Sequence, residues 1–240
     1  MVGIKEINLL INSIAKEIIK MSSYKGHSLF ALILSSIYFI NPVYCLLTIV
    51  GANMSDFDHD VKKIHVYKLI IVGLIIFIVL YILKSSYFIG IIILLMSAIF
   101  YFSKHRGFTH SLIGGLVLTF LVFTIIFFSM ELSYQIPLNL NVDTSMVILE
   151  LISILLCILF VNKKISPLII FLFVLGLLIS QIDPVSLKSI VFSIFLGFLS
   201  HIILDSFSPT GVELLNPISS KKFGKNFAVP MIVLLILMAL

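Results

Sequence analysis

Charged residues are scarce in this chain of 240 residues. Only 11% of the residues are Asp, Glu, Lys or Arg, against about 25% in an ordinary soluble protein, and 60% are apolar. Such a composition excludes a disordered segment and a charged coiled coil. A soluble globule of this length could not bury that much apolar surface. The composition therefore predicts an all-α, polytopic integral membrane protein.

Cysteine is also rare. Cys45 and Cys157 lie inside apolar runs and form neither a CxxC pair nor a zinc-finger spacing. Their scarcity excludes a secreted disulfide scaffold, and we expect both to be packing residues. The chain has no HExxH motif, which disfavours an intramembrane metalloprotease. The net charge of +5 is modest, and in so apolar a chain it indicates membrane orientation, not nucleic-acid binding.

An amphipathic segment precedes eight apolar runs. In residues 1–22, isoleucines at helical spacing share one face and lysines populate the other, which predicts an interfacial helix lying on the membrane. The alternative is a helix packed on another subunit. Residues 23–240 are expected to form a single transmembrane domain. Its apolar runs lie at roughly 28–53, 66–83, 86–102, 111–130, 145–161, 166–180, 189–205 and 227–240.

The first run is interrupted at Asn41-Pro42, because proline disfavours helix at the preceding residue. The run is therefore either one kinked span or a re-entrant hairpin of two half-length helices. A hairpin would place 14 of the 16 Lys and Arg residues on one side of the membrane, whereas a full crossing would split them 10 to 6. The positive-inside rule favours the hairpin, followed by about seven transmembrane helices, with the basic side in the cytoplasm.

Five of the six histidines stand in four short polar motifs, which the hairpin topology places at one membrane face. The motifs are Lys25-Gly26-His27-Ser28, then Ser55-Asp56-Phe57-Asp58-His59-Asp60, then His105-Arg106-Gly107-Phe108-Thr109-His110-Ser111, and His201 to Asp205. His201 and Asp205 are four residues apart, so they share one helical face. His105 and His110 flank a glycine turn, and Thr109 or Ser111 can cap the helix that follows.

A set of His and Asp without Cys suits divalent metals such as zinc, manganese or iron. The candidates are too many for one four-coordinate site, so they predict two or three metal ions, with zinc as the first expectation. Each motif alone has a plainer interpretation: a hydrogen-bonded pair, a capping cluster or a headgroup contact. Together, in a chain so poor in charge, they favour a metal site. The candidate ligands are His27, Asp56, Asp58, His59, His105, His110, His201 and Asp205.

Two neighbouring features admit two interpretations each. Arg106, between two candidate ligands, is either a bidentate phosphate clamp or an anchor to lipid headgroups. The Pro- and Gly-containing segment after Asp205 is either a plain turn or a loop that shapes the mouth of the site. An Asp not fully engaged by metal, with Asp58 as the candidate, could act as general base.

The ordered set of motifs resembles the YdjM-like family of membrane-bound, metal-dependent hydrolases, some of which are under SOS control. The resemblance runs from His27 to Pro217, through Asp56-Phe57-Asp58-His59, His105-Arg106-Gly107-Phe108-Thr109-His110, and His201 to Asp205 with Ser208-Pro209-Thr210-Gly211. Ser55 and Ser208 depart from the family pattern, which has Pro and Thr there. A weaker likeness links the helical His-x-x-x-Asp to zinc-dependent phospholipase C.

The resemblance and the residues together lead us to expect a multi-pass hydrolase of the cell membrane, with its site facing the cytoplasm. Metal-activated water would cleave a phosphoester of a membrane lipid or of a lipid-linked substrate. The alternative is a metal transporter or a non-catalytic, metal-gated membrane protein. Ligands clustered at one face disfavour transport, which needs a polar path to the far side.

Overall fold

A computed structural model describes residues 24–58, 63–133, 144–179 and 185–239, so the predicted interfacial helix at 1–22 lies outside the described residues. Within those ranges the protein is all-helical, as predicted, with no β-strand and a single isolated β-bridge. The helices are α1 (Tyr24–Tyr38), α2 (Pro42–Met54), α3 (Lys63–Ile82), α4 (Phe88–Phe102), α5 (Leu112–Ser133), α6 (Thr144–Phe160), α7 (Ser166–Ile179), α8 (Leu187–Ser206) and α9 (Lys225–Ala239). Short 3-10 helices cover Ser55–Asp58 and Phe108–His110.

The first apolar run is divided into two helices, α1 and α2, at the position that the sequence indicates. The Asn41 side chain accepts a hydrogen bond of 2.9 Å from the Val43 N–H, and Pro42 occupies the first helical position, where its missing N–H costs nothing. The two helices run antiparallel, because Asn53 near the end of α2 donates a hydrogen bond of 2.9 Å to Ser28 near the start of α1. The re-entrant placement of this hairpin in a bilayer stays a prediction.

Seven helices, α3 to α9, correspond to the seven apolar runs after the hairpin. Among the described residues, three helices are long and apolar enough to cross a membrane, at Ile64–Ile82, Leu112–Leu132 and Leu187–Ser206. The other four contain 14 to 17 residues, below the span of about 20 residues that the hydrocarbon core requires. The number of transmembrane helices therefore stays a prediction.

Helix α8 lies at the centre of the bundle and packs closely on α2. A Cβ at Gly197 would stand 1.9 Å from the Thr48 carbonyl oxygen, and a Cβ at Gly51 would stand 2.2 Å from that of Ile194. Only glycine fits at these two positions, because the two backbones are in contact. Small residues at helix crossings are a common means of close approach in membrane proteins. This contact fixes the end of α8 beside the end of α2.

The segment between α8 and α9 folds back over the same end of the bundle. Val212 and Phe223 exchange two backbone hydrogen bonds of 3.0 and 2.8 Å, which close this segment into a loop. The Leu112 N–H at the start of α5 donates to the Leu214 carbonyl oxygen at 2.9 Å. Ser111 caps α5, because its hydroxyl accepts a hydrogen bond from the Gly114 N–H at 3.0 Å.

Candidate metal centre

Four separate segments bring histidine and aspartate side chains to one end of the bundle. They are the first turns of α1, the 3-10 helix after α2, the turn between α4 and α5, and the last two turns of α8. Potential ligand atoms lie within 4.8 Å of one another in three groups: His27 with Asp56 and His201, Asp56 with His105 and His110, and His110 with His201 and Asp205. Three residues each belong to two groups, so the six form one continuous cluster.

His201 is held with one ring nitrogen directed into the cluster. Its Nδ1 lies 2.7 Å from the carbonyl oxygen of Ala52. A carbonyl can only accept, so Nδ1 carries the proton and Nε2 keeps the lone pair that a metal would use. That Nε2 is fully buried and has no hydrogen-bond partner among the described residues. A backbone carbonyl that orients a histidine in this way is typical of metal sites.

His110 faces His201 across the cluster, and two carboxylates complete the arrangement. The Nε2 of His110 is also buried without a hydrogen-bond partner among the described residues. It lies 3.6 Å from Asp205 Oδ2 and 3.8 Å from Asp56 Oδ1, while His201 Nε2 lies 3.5 and 3.8 Å from the same two oxygens. Each of the two imidazole nitrogens therefore faces the same two carboxylate oxygens.

These four nitrogen–oxygen distances are longer than ordinary hydrogen bonds, which lie near 2.7–3.2 Å. Ligands bound to a tetrahedral ion at about 2.0–2.1 Å stand about 3.3–3.4 Å apart, only a little closer than the atoms here. Buried polar atoms are normally hydrogen-bonded, and orphaned ones require an explanation. The donor types, the orphaned nitrogens and the spacing together fit a divalent cation.

His27 joins the cluster from the beginning of α1. Its ring stacks on that of His201, with the centroids 4.1 Å apart, and its Nε2 lies 3.5 Å from Asp205 Oδ1. The side chain is buried, and its Nδ1 has no hydrogen-bond partner among the described residues. Residues from opposite ends of the chain thus meet at one site.

Asp58 lies behind two histidines and belongs to none of the three groups. Its Oδ1 accepts a hydrogen bond of 3.0 Å from His105 Nδ1, and its Oδ2 accepts one from the Thr109 hydroxyl. His110 Nδ1 is 3.5 Å from the same Oδ2. The side chain is fully buried. In this geometry Asp58 positions the ring of His105 through the hydrogen bond to Nδ1. Its ligand and general-base roles stay predictions.

The charges of the cluster are strongly coupled. Burial opposes ionisation of Asp58, but the hydrogen bond from His105 and the nearby His110 imidazole outweigh it and lower the pKa of its carboxyl to about 2. Burial disfavours protonated His110, yet the Asp56 and Asp58 carboxylates outweigh it and raise the pKa of this imidazole to about 9. Without metal the site thus stabilises a cation on His110, and a metal ion would replace that proton.

Arg106 lies beside the cluster on a strained turn. Its φ of 61° is in the left-handed region, which is uncommon for a residue other than glycine and often marks a functional site. The guanidinium Nη1 donates to Ser208 at 2.9 Å and also to the Thr210 hydroxyl, and Nε lies 3.9 Å from Asp205 Oδ2. Arg106 therefore joins the turn after α4 to the loop after α8.

The structure brings together six of the eight candidate ligands: His27, Asp56, His105, His110, His201 and Asp205. Asp58 stands behind them, and His59 lies outside the described residues. Sequence reasoning missed the hydrogen bond from Thr109 to Asp58 and the one that links Asn53 to Ser28. It also missed the contact of Arg106 with Ser208 and Thr210, although the Pro- and Gly-containing segment after Asp205 was a signal that this loop shapes the site.

Comparison with known proteins identifies the family. No curated protein and no solved structure matches the chain. The model of the family described as YdjM inner membrane protein matches residues 21–240. That range includes all four segments that supply the cluster, as well as the apolar helices that indicate a membrane protein. The chain therefore belongs to the YdjM inner membrane protein family.

Proposed function

We propose that this protein is a membrane-embedded, metal-dependent hydrolase that cleaves a phosphoester of a lipid or lipid-linked substrate. The observation that carries the proposal is a set of four atoms, His110 Nε2, His201 Nε2, Asp56 Oδ1 and Asp205 Oδ2, in which each nitrogen lies 3.5 to 3.8 Å from each oxygen and both nitrogens are buried without a hydrogen-bond partner among the described residues. A divalent cation bound between these atoms would satisfy both nitrogens and neutralise both carboxylates, which are otherwise costly to bury in an apolar bundle.

Six side chains are available to hold metal, and their overlap into three groups supports two or three ions, with zinc as the first candidate. Divalent cations at such a site lower the pKa of bound water and neutralise charge on phosphate oxygens. The chain itself contributes orientation. The Ala52 carbonyl and the Asp58 carboxylate fix the rings of His201 and His105 by hydrogen bonds of 2.7 and 3.0 Å.

Arg106 and Asp56 are the residues that we assign to the substrate side. The side chain of Arg106 is 31% exposed, so an incoming phosphate can reach it, and it is held 3.9 Å from Asp205. A guanidinium beside metal cations is stable only with anions nearby, and a phosphate supplies that charge. The Asp56 side chain is 14% exposed, against 5% for Asp205 and none for Asp58, so we assign to Asp56, through the oxygen that is not among the four atoms, the role of taking a proton from water.

The test is metal content and hydrolysis measured on the same purified, full-length protein. We expect stoichiometric zinc, manganese or iron by elemental analysis, and hydrolysis of phosphoesters that a chelator abolishes and metal restores. His110→Ala should lose both bound metal and activity. His65→Ala is the matched control, because His65 lies on α3 and belongs to none of the three groups.

Two results would contradict the proposal. The first is a metal-free protein that hydrolyses phosphoesters at the full rate. The second is a metal-loaded protein that hydrolyses no soluble or lipid phosphoester but carries metal into sealed vesicles, which would support the transporter alternative.

We further propose that the site faces the cytoplasm, on the basis of the 14 to 2 distribution of Lys and Arg that the hairpin topology gives.

A further inference from the structure

A cavity of about 720 Å³ opens beside His105, at the point where α4 ends and the polar turn begins. One wall is apolar and comes from the last turns of α4. The other wall carries charge and hydrogen-bonding groups from the turn and from the loop after α8. The apolar wall includes Ala98, Ile99 and Phe102, and the polar wall includes Lys104, His105, Arg106, Glu213 and Asn216.

A second cavity of about 440 Å³ shares His105, Arg106 and Glu213 with the first, and its lining contains no aliphatic or phenylalanine side chain. Its other walls come from the loop after α8, with Thr210 and Lys222 as the side chains that can bind a polar group. The two cavities meet at His105 and Arg106. His105 belongs to one of the three metal groups, so the junction of the two cavities lies at the edge of the candidate metal centre.

We propose that the two cavities form one substrate groove for an amphiphilic phosphate ester with a hydrocarbon chain. The chain lies against Ile99 and Phe102, the phosphate sits at His105 and Arg106, and the rest of an anionic headgroup occupies the branch with Lys222. The identity of the scissile phosphate rests on the proposed function. The binding mode does not, because it follows from the two cavities themselves.

The apolar branch is suited to a hydrocarbon chain and not to a water-soluble ligand. Phe102 is 81% exposed, among the most exposed of the large apolar side chains, although it adjoins a polar turn. Phe102 lies at the end of α4, and Leu95 and Ile91 on the same helix are also exposed. A chain leaving the surrounding lipid can therefore run along α4 to the junction without crossing a polar barrier.

The charge of the groove selects the headgroup. Three cations, Lys104, Arg106 and Lys222, line the two cavities, and the Glu213 carboxylate is the one acidic group among the lining residues. Glu213 accepts a hydrogen bond of 2.9 Å from Asn216, which holds it in the loop. The groove therefore carries net positive charge and favours an anionic headgroup over one that ends in a quaternary ammonium.

Photocrosslinking of the full-length protein tests the groove without requiring catalysis. The probe is phosphatidic acid with a diazirine in its acyl chain, presented in detergent micelles. We expect crosslinks concentrated in residues 98–108, competed more than about tenfold better by unlabelled phosphatidic acid than by glycerol phosphate, because each buried methylene adds to binding. Phosphatidylcholine should compete less well than phosphatidic acid.

Two pairs of variants make the result specific. Ala98→Phe should fill the apolar branch and remove most of the crosslinking, whereas Val174→Phe, on exposed α7, should not change it. Lys222→Glu should erase the preference for phosphatidic acid over phosphatidylcholine. Lys164→Glu, an exposed charge outside both cavities, should keep that preference.

A different outcome is crosslinks that are spread evenly over the exposed helices and stay unchanged in Ala98→Phe. That result would overturn the groove and indicate contact with ordinary surrounding lipid. Equal competition by glycerol phosphate would overturn it in favour of a water-soluble phosphate ester. Specific crosslinks in a protein that hydrolyses nothing would leave the groove standing and reject the proposed function. Metal-dependent hydrolysis of a lipid phosphoester without specific crosslinks would reject the groove and leave the proposed function standing.

Discussion

The Nδ1 of His201 donates a hydrogen bond of 2.7 Å to the carbonyl oxygen of Ala52, which ties the last turns of α8 to the end of α2. The same bond fixes the tautomer of His201 and leaves its buried Nε2 facing Asp56 and Asp205. The contact between two helices and the orientation of a candidate ligand are thus one feature of the structure.

Replacing His27, from the beginning of the chain, or His201, from near its end, should lower the amount of bound metal. His201→Ala and His27→Ala each delete an imidazole that lies within 4.8 Å of potential ligand atoms from the other end of the chain. We expect each variant to bind less metal, measured by elemental analysis after dialysis, while His65→Ala binds as much as the wild type. Full stoichiometric metal in the double variant would reject the assignment of both histidines to one site.

Asp58→Asn tests the positioning role of Asp58. An amide keeps one accepting oxygen, so it can accept from His105 or from Thr109 but not from both. Its NH₂ group would donate on the other side and, if turned toward His105, would require the other tautomer of that ring. We expect metal affinity to fall by about 10- to 100-fold, as for other outer partners of ligating histidines, with the fold retained. Thr109→Val should act in the same direction but less, because it deletes one hydrogen bond to Asp58. Competition with a chelator measures both affinities, and an unchanged affinity in Asp58→Asn would contradict the role.

Arg106→Lys separates the phosphate clamp from a lipid anchor. Lysine keeps the charge but loses the planar fork that can contact two phosphate oxygens. We expect hydrolysis to fall at least about tenfold, or about 1.4 kcal/mol of transition-state stabilisation, with metal content unchanged. Lys164→Arg, a conservative change at an exposed cation outside both cavities, is the control. A variant Arg106→Lys that hydrolyses at the wild-type rate would reject the clamp and leave the headgroup anchor.

Gly197→Ala should destabilise the bundle. Its new Cβ would stand 1.9 Å from the Thr48 carbonyl oxygen, so α8 would have to move away from α2, at a cost of about 1–3 kcal/mol for an overpacked contact. We expect a lower midpoint of thermal unfolding in detergent and weaker metal binding, since the same movement carries His201 away from the cluster. Gly224→Ala is the matched control, because a Cβ there meets its nearest atom at 3.8 Å. Equal stability of both variants would contradict the close contact.

Cysteine accessibility tests the predicted topology. In a background with Cys45 and Cys157 replaced by serine, single cysteines at Lys25, Lys104 and Lys222 should react with an impermeant thiol reagent from the same side of the membrane. A cysteine at Lys84, beyond the other end of α4, should react from the opposite side. Labelling of sealed vesicles of known orientation shows on which side each cysteine lies. If the cysteines at positions 25 and 104 react from opposite sides, the re-entrant hairpin is excluded.

Local features of the sequence determined the helices and the types of ligand. Apolar runs of this length form helices in a membrane, because no water is present there to hydrogen-bond the backbone N–H and C=O groups. The Asn41-Pro42 break follows from the geometry of proline and from an asparagine that can cap a helix. Histidine and aspartate in short motifs at helix ends indicated metal chemistry, because isolated charges are costly in such a chain.

The tertiary structure alone decided which atoms face one another. Asp58 and Asp56 are two residues apart, yet one stands behind the histidines and the other among them, because the 3-10 helix turns their side chains to different sides. The hydrogen bond from Arg106 to Ser208 likewise joins residues 102 positions apart, in the turn before α5 and in the loop after α8. Composition and periodicity describe each helix separately, whereas distances between segments follow from how closely the helices pack.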